Sequence, residues 1–405
     1  MQRPDIDSVR SHLAALGEEL WRDGRGWVFL AVTVGWFFAI GGRVVFPALI
    51  PRVRVALDIS LATAGVVLTL LWLAYALTQF PGGVLGDRVG DRAVLVASMA
   101  ITGVSLAVAA TAPGLAAFVA AAVLFGVGSG LFSTTRLTVI SDVYPRVAST
   151  AIGLNQAAGN VGTSLLPVLA GVVAATTLGW RSGFTVLVVP VFLTVGALWL
   201  TVPRRTHATP SRESLSVRAV LAGVRQPTPL RLTAMMFTMS AVYQGFTSFY
   251  PAYLVSEKAL SDANGATLFG LFFATGVVVQ PLAGVAADTF GPKRTLTLTT
   301  VTTIAGLLVL PFVEGVVGLT LVTVLLGVHL GFWPVINSLT ISVMPASIQA
   351  SGFGLIRTLY LVFAAATPAG IGLLADAGLF DEAFVGLAGA ALVSLAVGRR
   401  LPASE

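Results

Sequence analysis

Three arginines stand inside long apolar runs of this chain: Arg43 in GGRVVFP, Arg136 in STTRLTV and Arg357 in GLIRTLY. An arginine at the centre of a lone helix in lipid costs about 3 kcal/mol on insertion scales, so it usually faces a cavity or a partner. No Asp or Glu falls deep within any apolar run, and Asp142 sits near the end of one. Arg43 and Arg136 therefore lack an obvious buried carboxylate. The chemistry they offer is anion capture, because a guanidinium grips carboxylate or phosphate through paired N–H bonds. Each arginine also has a purely structural alternative. Arg136 can pair with Asp142 about one and a half turns on. Arg43 can bond carbonyls freed by Pro47, and Arg357 can snorkel to an interface.

Other polar residues could complete such a site: Asn155, Gln156, Tyr243, Gln244, Tyr250 and Asn337, with Phe332 and Trp333 as an apolar wall. For any one of them, helix–helix hydrogen bonding or packing is the simpler explanation. His329 is the one histidine inside an apolar run. It suits neutral packing, with proton relay as the alternative. The chain has no cysteine, which excludes disulfides and thiolate chemistry. It shows no metal spacing, nucleophile triad or phosphate loop, so no cofactor or catalysis is expected. The glycines of GVGSG at 126–130 lie within an apolar run and suit close packing better than nucleotide binding.

These residues need elements to hold them. Hydrophobic residues are 56% of the 405 and charged ones 10%, far below the roughly 25% charged of soluble domains. A spanning helix takes about 20 mostly apolar residues. Twelve such stretches are legible: 27–50, 62–86, 93–111, 115–143, 152–177, 182–202, 231–255, 265–287, 295–313, 316–344, 352–374 and 382–398. Residues 1–26 read as a polar N-terminal segment, with Val9, Leu13, Leu16 and Leu20 at amphipathic helical spacing. Residues 203–230, rich in Arg, Ser, Thr and Pro, read as a linker between 27–202 and 231–398, and 399–405 as a tail. With the N-terminus in the cytoplasm, 17 of the 24 Lys and Arg fall on cytoplasmic segments and four outside. That bias predicts both termini inside, and it accounts for the net charge of +6 without nucleic acid.

The two halves repeat at an offset of 201 residues. GVLGDRVGDR, from Gly83 to Arg92, returns as GVAADTFGPK, from Gly284 to Lys293, so Gly83, Asp87 and Gly90 fall on Gly284, Asp288 and Gly291. The same offset relates Gly126 to Gly327, Gly130 to Gly331, Gly153 to Gly354, Pro167 to Pro368 and Gly171 to Gly372. It also sets Gln244 opposite Arg43 and Asn337 opposite Arg136. Gly83 and Gly90 allow close approach and a tight turn. Two repeated six-helix units predict a central cavity near the bilayer midplane.

On GGVLGDRVGDR at 82–92, its echo at 284–294 and GWRSGF at 179–184, the chain resembles the major facilitator superfamily across residues 27–398. The resemblance implies an all-α membrane protein, twelve transmembrane helices in two pseudo-symmetric bundles, working by alternating access. It implies a small-molecule substrate, H+ or Na+ as coupling ion, and a lipid-embedded monomer in the plasma membrane. It also implies a cavity lined by the first and fourth helices, and a cytoplasmic latch in which Asp87 meets the region of Ser351 and Asp288 that of Thr150. Arg88, Arg92, Arg146 and Lys293 would complete the latch. The usual antiporter signature is reduced here to Leu166-Pro167 and Ala170-Gly171, so direction and coupling stay open. The expected substrate is an organic or inorganic anion. The alternatives are an efflux pump for apolar compounds, which usually keeps a buried acid, and a non-transporting sensor.

Overall fold

A chain segment in lipid must satisfy its own backbone polar groups, and a helix does so within one segment. The computed structural model describes residues 18–204, 217–344 and 349–401, and those residues form helices and turns with no strand. The long helices are α1 (Gly26–Leu57), α2 (Leu61–Val89), α3 (Asp91–Thr111), α4 (Leu115–Val143), α5 (Ala148–Ala174) and α6 (Trp180–Thr201). The second set is α7 (Pro227–Ser256), α8 (Asp262–Phe290), α9 (Pro292–Val309), α10 (Gly315–Ser342), α11 (Gln349–Ala364 continued by Thr367–Asp376) and α12 (Phe380–Arg399). Eleven are long and apolar enough to cross a membrane. The twelfth, α7, has 30 residues, about 45 Å of helix. It is more polar because Thr238, Ser240, Gln244, Thr247 and Ser248 are turned inward and buried.

Two local features differ from the sequence reading. The segment taken as a linker holds a short helix, Val217–Val224, and α7 starts at Pro227 rather than 231. Proline suits a first helical turn, where its missing N–H has no partner to lose. α10 is broken by a 3-10 turn at Val328–Gly331, ahead of Pro334, which cannot donate to the preceding turn. Of the N-terminal amphipathic stretch, Val9, Leu13 and Leu16 lie outside the described residues.

Small residues let the helices approach. A Cβ on Gly126 would stand 2.3 Å from the Leu71 carbonyl oxygen of α2, and one on its repeat mate Gly327 2.5 Å from Thr275 Cβ of α8. The repeated loop has one conformation in both halves: Gly90 at φ 90°, ψ 140° and Gly291 at φ 88°, ψ 147°. Only glycine occupies that region cheaply, and this is what the motif requires of it.

The halves meet at the end of the bundle away from the chain termini. The Asp376 carboxylate at the end of α11 accepts from the backbone N–H groups of Leu61 and Ala62 at 2.7 and 2.9 Å, capping α2. Arg52 of α1 pairs with Asp262 of α8 at 2.9 Å. Gly65 and Gly372 seat α2 against α11, and Gly171 and Gly270 seat α5 against α8: a Cβ at any of the four would stand within 2.5 Å of an atom of the other half. At the terminus-bearing end the same helix pairs carry Gly83 and Gly354, and Gly153 and Gly284. Among the described residues, nothing lies within 4 Å of a Cβ at any of the four.

Gly90→Ala and Gly291→Ala should each lower stability by about 1–3 kcal/mol, the cost of a disfavoured backbone well. Gly83→Ala should stay within about 0.5 kcal/mol of the parent. Thermal unfolding in detergent measures both, and equal shifts would contradict the conformational role of Gly90.

Candidate substrate cavity

Between the halves lies a cavity of about 530 Å³, and all three intramembrane arginines line it. α1 supplies Trp36 and Arg43, α2 supplies Trp72 and Tyr75, α4 supplies Arg136, and α5 supplies Gln156, Asn160 and Thr163. The other half supplies Tyr243 from α7, Phe273 and Gln280 from α8, Trp333 and Asn337 from α10, and Phe353, Arg357 and Tyr360 from α11. No Asp or Glu is among the lining residues. Helical spacing explains the grouping. Trp36 and Arg43 are two turns apart on one face, and Trp72 and Tyr75 are one turn apart on theirs.

The arginines are covered by rings and amides. The Arg43 guanidinium lies 4.3 Å from the centroid of Trp72 and 4.1 Å from that of Tyr75. Arg43 is 5% exposed, and its Nε and Nη1 have no hydrogen-bond partner among the described residues. Arg136 lies 3.7 Å over the Trp36 ring. It donates from Nη1 to Asn155 Oδ1 and from Nη2 to Gln156 Oε1 at 3.0 Å, while its Nε is unpartnered. Each cation–π contact contributes about 2 kcal/mol when desolvated. One such contact offsets part of the roughly 3 kcal/mol insertion cost, as at Arg136, and the pair on Arg43 is of the same order as the whole of it, while the formal charge stays in place. An amide relay continues from Gln156 Nε2 to Asn160 Oδ1 at 3.4 Å, and from Asn160 Nδ2 to Gln280 Oε1 at 3.2 Å, crossing into the second half.

Of the residues singled out in the sequence, Arg43, Arg136, Arg357, Gln156, Tyr243, Asn337 and Trp333 line the cavity, whereas Phe332 is fully buried outside the lining. Asn155 stands behind it and holds Arg136, with its Nδ2 donating to Thr33 Oγ1 at 3.2 Å. Gln244 is outside the lining. It is fully buried and donates to Ser240 Oγ at 3.2 Å, because it sits one residue past Tyr243 and so turns away. Tyr250 is also outside, paired with Thr323 Oγ1 at 2.5 Å. His329 packs behind Tyr243 with its ring stacked at 6.2 Å and its Nδ1 3.4 Å from Thr303 Oγ1. The sequence reading missed Trp36, Trp72, Tyr75, Asn160, Gln280 and Tyr360. The spacing of Trp36, seven residues before Arg43, and of Tyr360, three after Arg357, was a usable signal for those two, and the other four carry none.

The repeated loops show fewer joined parts in this state. Arg88, Arg146 and Asp288 are exposed. Arg92 lies 4.5 Å over the Trp199 ring. Lys293 Nζ donates to the carbonyls of Arg399 and Leu401 at 3.0 and 2.7 Å, so it caps α12 within its own half. The side chains of Asp87 and Ser351 lie outside the described residues.

Replacing a buried charge that lacks a counter-charge by an apolar group of similar size is commonly neutral or stabilising. Without added anion, Arg43→Met should therefore melt at or above the parent temperature. Trp72→Leu, which uncovers the guanidinium, should lose about 1–2 kcal/mol. A clear drop in Arg43→Met in a detergent melt would show that the arginine has a structural counter-charge after all.

Comparison with known proteins agrees with this architecture. The family profile described as Major Facilitator Superfamily matches residues 31–368 and 258–404. The hexuronate transporter of Bacillus subtilis is 23% identical over 248 residues, 59% of this chain and 58% of that protein. The nitrite extrusion protein of Bacillus subtilis is 25% identical over 253 residues, 62% of this chain and 63% of that protein. The gentisate transporter of Corynebacterium glutamicum is 25% identical over 282 residues, 65% and 62%. The chain thus spans about three-fifths of the length of each of these relatives. A bacterial homologue of the human lysosomal transporter Spinster, solved in an inward-facing, unoccupied conformation, superposes with TM-score 0.80 at 16% identity, covering 95% of this chain and all of that one. A D-xylose–proton symporter gives TM-score 0.74 at 14% identity, covering 93% and 98%. These likenesses place the fold, that of a multi-pass helical membrane protein. The chain belongs to the Major Facilitator Superfamily of transporters.

Proposed function

We propose that this chain is a secondary transporter of a small anion, working by alternating access. The observation that carries the reading is the cavity itself: three guanidiniums and no carboxylate among its lining residues. An anion supplies the missing charge through paired hydrogen bonds. The names of three relatives fit, since hexuronates, nitrite and gentisate are all anions near neutral pH.

The charge also bears on movement. Arg43 and Arg136 belong to one half and Arg357 to the other. Like charges about 6 Å apart repel by roughly 3 kcal/mol at an effective dielectric of 20. Closing the terminus-bearing end draws Arg357 toward the other two, so an empty cavity opposes closure and a bound anion favours it. At Gly83 and Gly354, and at Gly153 and Gly284, the α2–α11 and α5–α8 pairs then close up as they do at the opposite end around Gly65, Gly372, Gly171 and Gly270. The Lys and Arg bias supports a cytoplasmic terminus-bearing end, and the family resemblance suggests the plasma membrane. The state described here is then open to the cytoplasm, and the Asp87 and Asp288 loops latch only after closure. H+ or Na+ is the coupling ion the family resemblance suggests, although the cavity lining has no carboxylate for either.

The test is a thermal-shift screen in detergent with carboxylates, phosphates, sugars and cationic dyes, repeated on Arg43→Gln. An anion should raise the melting temperature of the parent and leave the folded variant unmoved. A variant that responds as the parent does would sink the anion site, and stabilisation by dyes alone would favour efflux of apolar compounds.

A further inference from the structure

The two walls of the cavity differ in what they leave accessible. On the N-terminal half, Trp36, Trp72 and Tyr75 are each at most 4% exposed, since guanidiniums cover their faces. On the C-terminal half, Tyr243, Trp333 and Phe353 keep partly exposed rings along the cavity. Trp333 is centred in that wall. It stacks on Tyr360 at 5.8 Å and 28°, and meets Tyr243 edge to face at 6.3 Å. The N-terminal wall thus presents two cations, and the C-terminal wall presents flat apolar surface beside a single cation, Arg357.

From this we infer that the transported anion is an aromatic carboxylate. Its carboxylate meets Arg43 and Arg136, and its ring lies on the wall centred on Trp333. The inference rests on the anion reading above and narrows it. A cavity of about 530 Å³ is in the range of organic ligands, roughly 300–1,000 Å³, and an inorganic oxyanion would leave most of it, including the Trp333 wall, unused. A sugar acid would need several free hydrogen-bonding groups for its hydroxyls. The amides of Gln156, Asn160 and Gln280 are already bonded to Arg136 or to one another, which leaves the Asn337 amide, with its Oδ1 unpartnered among the described residues, too little for several hydroxyls. An aromatic ring asks for no such partners and gains from offset or edge-on contact with Trp333 and Tyr243.

The test is equilibrium binding to the full chain in detergent, with benzoate, glucuronate, nitrite and benzyl alcohol as probes. Benzoate should bind at least tenfold more tightly than the other three. Trp333→Leu should weaken benzoate about tenfold and leave nitrite unchanged, while Trp333→Phe should restore most of the loss. Glucuronate or nitrite binding as tightly as benzoate would overturn the aromatic inference and leave the anion reading standing. Benzyl alcohol equal to benzoate, with Arg43→Gln without effect, would overturn both. No measurable benzoate binding would overturn the aromatic inference.

Discussion

A guanidinium in a low-dielectric cavity needs a partner, and here three of them share one cavity without a carboxylate. The protein answers with rings and amides. Trp72 and Tyr75 cover Arg43, Trp36 covers Arg136, and Asn155 and Gln156 hold its remaining edge. These contacts orient and desolvate the cations without neutralising them. The difference matters: a salt bridge would satisfy the site permanently, whereas a ring leaves the charge available to a ligand.

The architecture lets that charge act across the molecule. The cations are divided between two halves joined mainly through the end opposite the termini, by Asp376 capping α2 and by Arg52 against Asp262. The relay from Arg136 through Gln156 and Asn160 reaches Gln280 in the other half. A ligand that binds Arg136 therefore touches the same hydrogen-bond chain that crosses the α5–α8 boundary. A shift of population needs such a difference in binding between the two states.

Much of this was legible in the sequence. The apolar runs fixed the number of spans, because lipid leaves the backbone no alternative to helix. The 201-residue offset exposed the pairing of Gly90 with Gly291, whose backbone angles agree within 10°. Arg43, Arg136 and Arg357 stood out because an arginine in lipid is costly. What the sequence hid was lateral. Gln244 matches Arg43 by offset, yet one residue's rotation on α7 points it away from the cavity and puts Tyr243 there instead. Trp36, Trp72 and Tyr75 looked like ordinary core because their value lies in which cation they cover. The repeat also relates Gln156 to Arg357, so one pseudo-symmetric pair holds both an amide and a cation of the site.

The central claim is that an anion relieves the repulsion that keeps the terminus-bearing end apart. Since the chain has no cysteine, a Gly83→Cys/Gly354→Cys pair reports closure without background. The decisive measurement is its cross-linking rate in membranes, with and without benzoate, in parent and Arg357→Gln backgrounds. Benzoate should speed cross-linking several-fold in the parent, and Arg357→Gln should be fast without it. Rates that ignore both the anion and Arg357 would contradict the claim.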